Sequence, residues 1–111
     1  MQITVFRSRL KPGVYPEYAE WAARMSELAR TMPGYISHKV FIAEDGERLT
    51  LVEFESEEAQ RVWSVNARHV EAKKKGRQDF YLDYRLQVCT VQRDTAFPGK
   101  EYDLARPGND A

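Results

Sequence analysis

Residues 2–10 alternate. Ile3, Val5, Arg7 and Arg9 share one side, and Thr4, Phe6, Ser8 and Leu10 the other. A period of two marks a strand with two distinct faces. Lys11-Pro12-Gly13 ends it, because proline has no amide to donate to a ladder. From 15 to 32 the period changes. Tyr18, Ala22, Met25, Ala29 and Met32 recur at alternating steps of four and three, which lays them on one helical stripe. Trp21 and Leu28 flank the stripe, and the charges at Glu17, Glu20, Arg24, Glu27 and Arg30 fall largely outside it. Pro16 suits a first turn, where its missing amide is not needed. Pro33-Gly34 stops the helix.

Residues 35–43 alternate again, with Tyr35, Ser37, Lys39 and Phe41 opposite Ile36, His38, Val40 and Ile42. Glu44-Asp45-Gly46-Glu47 reads as a hairpin turn, with Asp-Gly supplying the positive φ values. Residues 48–55 return as a strand, Leu49, Leu51 and Glu53 on one face and Thr50, Val52 and Phe54 on the other. Ser56 is a helix cap followed by acids at the positive end of the dipole. The spacing predicts a helix from there to about Tyr81, with Ala59, Trp63, Asn66 and Val70 on one face. A kink near Asn66 is allowed for, as is a bend or break at Gly76. Lys73-Lys74-Lys75 reads as a solvated, late-helix basic run. Residues 82–92 are the last strand, with Cys89 expected to be buried in it. Residues 1–93 thus form one domain, and 94–111 a C-terminal tail or dimer-crossing arm.

The order β-α-β-β-α-β predicts an α+β, ferredoxin-like fold: a four-stranded antiparallel sheet with two helices on one face. The opposite face also carries apolar residues, so a homodimer packed through it is expected. Charge narrows the partners. Lys+Arg and Asp+Glu are 17 each in 111 residues, which argues against a nucleic-acid binder or a polybasic membrane-surface protein. No apolar run approaches the ~18 residues of a spanning helix. The single cysteine excludes an internal disulfide and any CxxC metal site, which fits a reduced, cytoplasmic setting.

One stretch carries a resemblance. Phe54-Glu55-Ser56-Glu57-Glu58-Ala59, Trp63, Asn66-Ala67-Arg68-His69, Gly76-Arg77, Phe80-Tyr81, Tyr84-Arg85 and Val88, with the Met32-Pro33-Gly34-Tyr35 corner, resemble the antibiotic-biosynthesis-monooxygenase type of dimeric α+β barrel over residues 2–93. The resemblance implies a homodimer and a small aromatic, phenol- or quinol-like substrate oxidised directly by O2 without a cofactor. A non-catalytic small-molecule-binding dimer and a haem-binding or haem-degrading protein are the alternatives. Haem ranks lower, because the interval from Trp63 to His69 is short for that branch and the first strand offers Thr4, Phe6 and Ser8 but no Asn.

The candidate catalytic residues are Trp63 as pocket wall, Asn66 as polar anchor and His69 as base. His38, Tyr35, Tyr81 and Arg85 are candidate substrate-binding residues, with Glu53 a possible partner of Arg85. Most also have a structural reading: Trp63 as core filler, His69 as a surface or capping histidine, Asn66 as a helix-breaking surface residue, His38 as a hydrogen-bonded core imidazole, and the tyrosines as aromatic packing. No metal site, flavin or nicotinamide fingerprint is present in the sequence.

Overall fold

The computed structural model describes residues 1–99. Its elements are β1 (Gln2–Leu10), α1 (Tyr15–Arg30), β2 (Tyr35–Ile42), β3 (Arg48–Phe54), α2 (Glu57–Val65), α3 (Ala67–Lys75), a π-helical turn over Gly76–Phe80, and β4 (Tyr81–Thr90). The strands form one antiparallel sheet in the order β2-β3-β1-β4. This is the ferredoxin-like arrangement, with three α-helices in place of the two expected. Of the expected 94–111 tail, residues 94–99 carry no helix or strand, and the rest lies outside the described residues.

Register decides what each face carries. Gln2, Thr4, Phe6 and Ser8 of β1 lie in phase with Phe54, Val52, Thr50 and Arg48 of β3, and with Thr90, Val88, Leu86 and Tyr84 of β4. This row faces the helices. The compact core is Ala29, Phe54 and Trp63, with Met25, Leu28, Met32, Tyr35, Val52 and Ala59 packed on it. The opposite face holds Val5 facing Leu51, with Ile3 opposite Glu53 and Leu49 opposite Arg7, bordered by Lys39, Phe41, Arg85 and Gln87.

Four local readings change. A bulge between Tyr35 and Ser37 puts Tyr35 in register with Phe54, so it joins His38 on the helix side instead of lying opposite it. Cys89 is exposed, because β4 is an edge strand. Arg85 pairs in register with Arg7, whereas Glu53 lies opposite Ile3 and accepts from Ser37 Oγ at 2.5 Å, so Glu53 is not Arg85's partner. The lysine run is not uniformly solvated: Lys73 Nζ donates to the Ser64 carbonyl at 2.9 Å, and Lys75 pairs with Glu17 at 3.0 Å and Asp79 at 2.6 Å.

Two glycines are required by close approach. Gly34 turns the chain into β2 at φ 81°, and a Cβ there would lie 2.5 Å from Ala59 Cβ. Gly76 keeps helical geometry, so it does not break the chain. A Cβ on it would lie 2.5 Å from Cε2 of Tyr81, so its bareness makes room for that ring.

Candidate functional site

Ser56 caps α2 as expected, accepting from the Ala59 amide at 3.1 Å. The helix then stops at Val65. Asn66 adopts an extended backbone (φ −57°, ψ 131°), and its side chain caps α3 by accepting from the amides of Arg68 (3.0 Å) and His69 (3.3 Å). This break rearranges the site. In an unbroken helix, Trp63 and His69 would point ~120° apart. Here the His69 ring stacks on the Trp63 indole, with centroids 4.0 Å apart and planes at 15°.

The Trp63 carbonyl faces His69 Nδ1 at 3.0 Å. Burial, opposed by the carbonyl and helped by Lys73, lowers the imidazole pKa to about 4. A neutral ring beside a carbonyl must place its proton on Nδ1, which leaves Nε2 as the accepting nitrogen.

Trp63 and His69 line a cavity of about 400 Å³ between the helices and the sheet. Aromatic and aliphatic residues dominate its walls, among them Phe6, Tyr18, Trp21, Met25, Tyr81 and Leu86. Its size and lining are those of a small-molecule site. His38 and Ser26 reach it from the α1–β2 side. His38 Nε2 lies 3.0 Å from Ser26 Oγ and its Nδ1 2.6 Å from the Tyr35 hydroxyl. Burial, helped by Arg30, lowers the His38 pKa. Burial and the neighbouring Tyr18 push the Tyr81 hydroxyl pKa strongly upward, so it stays protonated and able to donate.

Of the sequence candidates, the cavity therefore gathers Trp63, His69, His38 and Tyr81. Tyr35 stands behind His38. Asn66 is engaged as a cap and sends Nδ2 toward Met32 Sδ at 3.9 Å, away from a role as pocket anchor. Arg85 is on the opposite sheet face. Sequence reading passed over Ser26, Thr4 and Arg48, all of which line the cavity. Strand parity held the signal for two of them: Arg48 is in phase with Thr50, Val52 and Phe54, and Thr4 with Phe6.

Fold and cavity together define a ferredoxin-like α+β protein with an aromatic-lined cavity under its helices. The antibiotic biosynthesis monooxygenase family model matches residues 1–75. The chain belongs to that family. It is 34% identical over 80 residues to the uncharacterized protein YqjZ of Bacillus subtilis (strain 168), covering 72% of this chain and 70% of YqjZ. Solved structures agree in fold. SnoaB of Streptomyces nogalater, described as a cofactor-independent oxygenase, superposes with a TM-score of 0.70 at 15% identity, over 84% of this chain and 94% of SnoaB. Rv0793 of Mycobacterium tuberculosis gives 0.75 at 12% identity, over 86% and 98%. Among the described residues no helix is long and apolar enough to cross a membrane, and no group of three or more His, Cys, Asp or Glu could hold a metal ion.

Proposed function

We propose that this protein is a cofactor-independent monooxygenase of a small phenol- or quinol-like aromatic, working as a homodimer in the cytoplasm. The observation that carries the reading is the Trp63–His69 stack on the wall of an aromatic-lined cavity. Trp63 offers a flat face to a flat ring. His69 Nε2 accepts the substrate proton, and Tyr81 donates to a substrate oxygen. The conjugate acid of His69, at about 4, gains proton affinity when a substrate anion lies beside it. The anion then supplies electrons to O2. One oxygen atom bonds to the ring carbon and the other leaves as water. For an anthrone, the methylene becomes a carbonyl, and the four electrons lost by carbon are those gained by O2.

Oxygen uptake with 1,8-dihydroxyanthrone and a set of hydroquinones tests this. Catalysed uptake above the buffer rate is expected, falling by ~10²-fold in His69→Ala as for loss of a general base. An unchanged rate in that variant would remove the base role. The low pKa of His69 favours one other reading, binding of the aromatic without turnover; saturable binding with no catalysed uptake would establish it. A Soret shift on mixing with haemin would instead support haem binding.

The dimer is proposed through the face opposite the helices, where Ile3, Val5, Leu49 and Leu51 cluster and Phe41 is 49% exposed. Ile3→Glu, in register with Glu53 and Cys89, would place an unpaired charge there at a cost on the order of 3–5 kcal/mol. The variant should run as a monomer in sedimentation velocity, where the parent runs as a dimer. A monomeric parent would sink the proposal.

A further inference from the structure

Two residues that line the cavity each carry a buried polar atom without a hydrogen-bond partner, Arg48 Nε and Thr4 Oγ1. Buried polar groups in folded proteins are nearly always partnered, so each orphan calls for an occupant. Arg48 is the stronger signal. It opens β3 on the helix side, opposite the small, buried Ser8. Its guanidinium carbon lies 5.3 Å from the Tyr18 ring and 5.7 Å from the Tyr15 ring. The stacking fixes the fork while leaving its in-plane N–H groups to meet an acceptor. No ion pair among the described residues engages Arg48, whereas Arg7 and Arg9 each hold a carboxylate of the β2–β3 turn.

Thr4 sits elsewhere on the same wall. It lies in register with Val52 on one side and Val88 on the other, so its hydroxyl has only apolar strand neighbours. Arg48 is level with Ser8, four residues further along β1. At ~3.3 Å per residue the two levels are about 13 Å apart. Phe6, Thr50 and Leu86 lie between them. That distance is about the span of a fused three-ring aromatic with a polar substituent at either end.

We propose that Arg48 and Thr4 select the ligand, so that the occupant is an elongated aromatic acid with its anionic oxygen on Arg48 and a carbonyl or hydroxyl oxygen near Thr4. The inference rests on the cavity being the small-molecule site. It adds which acid–base class the site takes and which way round the ligand lies: acid toward Tyr15 and Tyr18, far end toward Trp63.

The test is calorimetric titration of the full chain with anthraquinone-2-carboxylate and with its uncharged carboxamide. The parent should bind the carboxylate at least ~10-fold more tightly, because an ionised acceptor on a guanidinium is the stronger hydrogen bond. Arg48→Gln should erase that preference while keeping the carboxamide affinity, and Arg48→Lys should keep part of it. Thr4→Val should remove any preference of the site for 6-hydroxyanthracene-2-carboxylate, whose hydroxyl is at the far end of the rings from the acid, over anthracene-2-carboxylate. Equal affinity for carboxylate and carboxamide in the parent would overturn the inference and leave the cavity reading standing. Binding of neither would overturn both. Should Arg48→Gln fail to give the parent circular dichroism spectrum, the carboxylate-to-carboxamide ratio of the parent alone decides.

Discussion

Phe54 and Leu86 both rise from the sheet toward the helices, yet Phe54 is fully buried and Leu86 is 45% exposed. Phe54 lies under α1 and α2, where Ala29 and Trp63 close over it. Leu86 is on the edge strand, and the cavity it lines separates it from the helices. One half of the interlayer space is therefore filled and the other is hollow. The filled half is made of apolar residues that satisfy each other. The hollow half mixes large aromatics with polar groups, some satisfied and some not. A fold needs the first; the second is explained by a ligand.

The largest expected effect sits in the filled half. Phe54→Ala should cost ~3–5 kcal/mol in urea unfolding, as for other buried aromatic truncations, whereas Leu86→Ala should cost under ~1 kcal/mol. Equal losses would erase the distinction.

Acid should act next, through the stacked imidazole. The folded-state pKa of His69 is depressed from 6.5 to about 4, so between these values the unfolded chain binds the additional proton. Stability from this group is therefore intact above pH 6.5 and lost as pH falls toward 4. At 1.36 kcal/mol per unit, reduced for solvent at the half-buried ring, the loss is on the order of 2–3 kcal/mol. His69→Gln should flatten that part of the curve. A variant curve parallel to the parent's would show that His69 does not titrate there.

A smaller effect is expected at the rim. Gly76→Ala puts a Cβ into the Tyr81 ring and should cost ~1–3 kcal/mol while shifting the Tyr81 ring resonances. The smallest is Thr4→Val. Its hydroxyl has no partner to lose, so stability should stay within ~0.5 kcal/mol of the parent or rise. A loss above 1 kcal/mol would mean that the hydroxyl is bonded in the free protein.

The sequence carried the fold because its signals were periodic. The 2-residue alternation of β1 and the four-three stripe of α1 each survive in the structure with the same inward residues. The site was less legible because it depends on two interruptions of period. At Asn66, one side chain closes two amides and starts a new helix. His69 is thereby folded onto Trp63, which continuous helical spacing would have turned it away from. At Tyr35, one extra residue flips the side chain to the face of His38, to which it bonds. Arg48 was missed for another reason. A strand arginine reads as surface, although its phase with Thr50, Val52 and Phe54 puts it on the helix side, where the rings of Tyr15 and Tyr18 lie against it.

The central claim is that the hollow half holds a flat aromatic against Trp63. Trp21 also lines the cavity, so Trp21→Phe leaves Trp63 as the sole indole. Titrating that variant with anthraquinone-2-carboxylate should quench Trp63 emission saturably, to an endpoint of one ligand per chain. Quenching that rises linearly without saturation, at the rate of free indole in solution, would contradict the account.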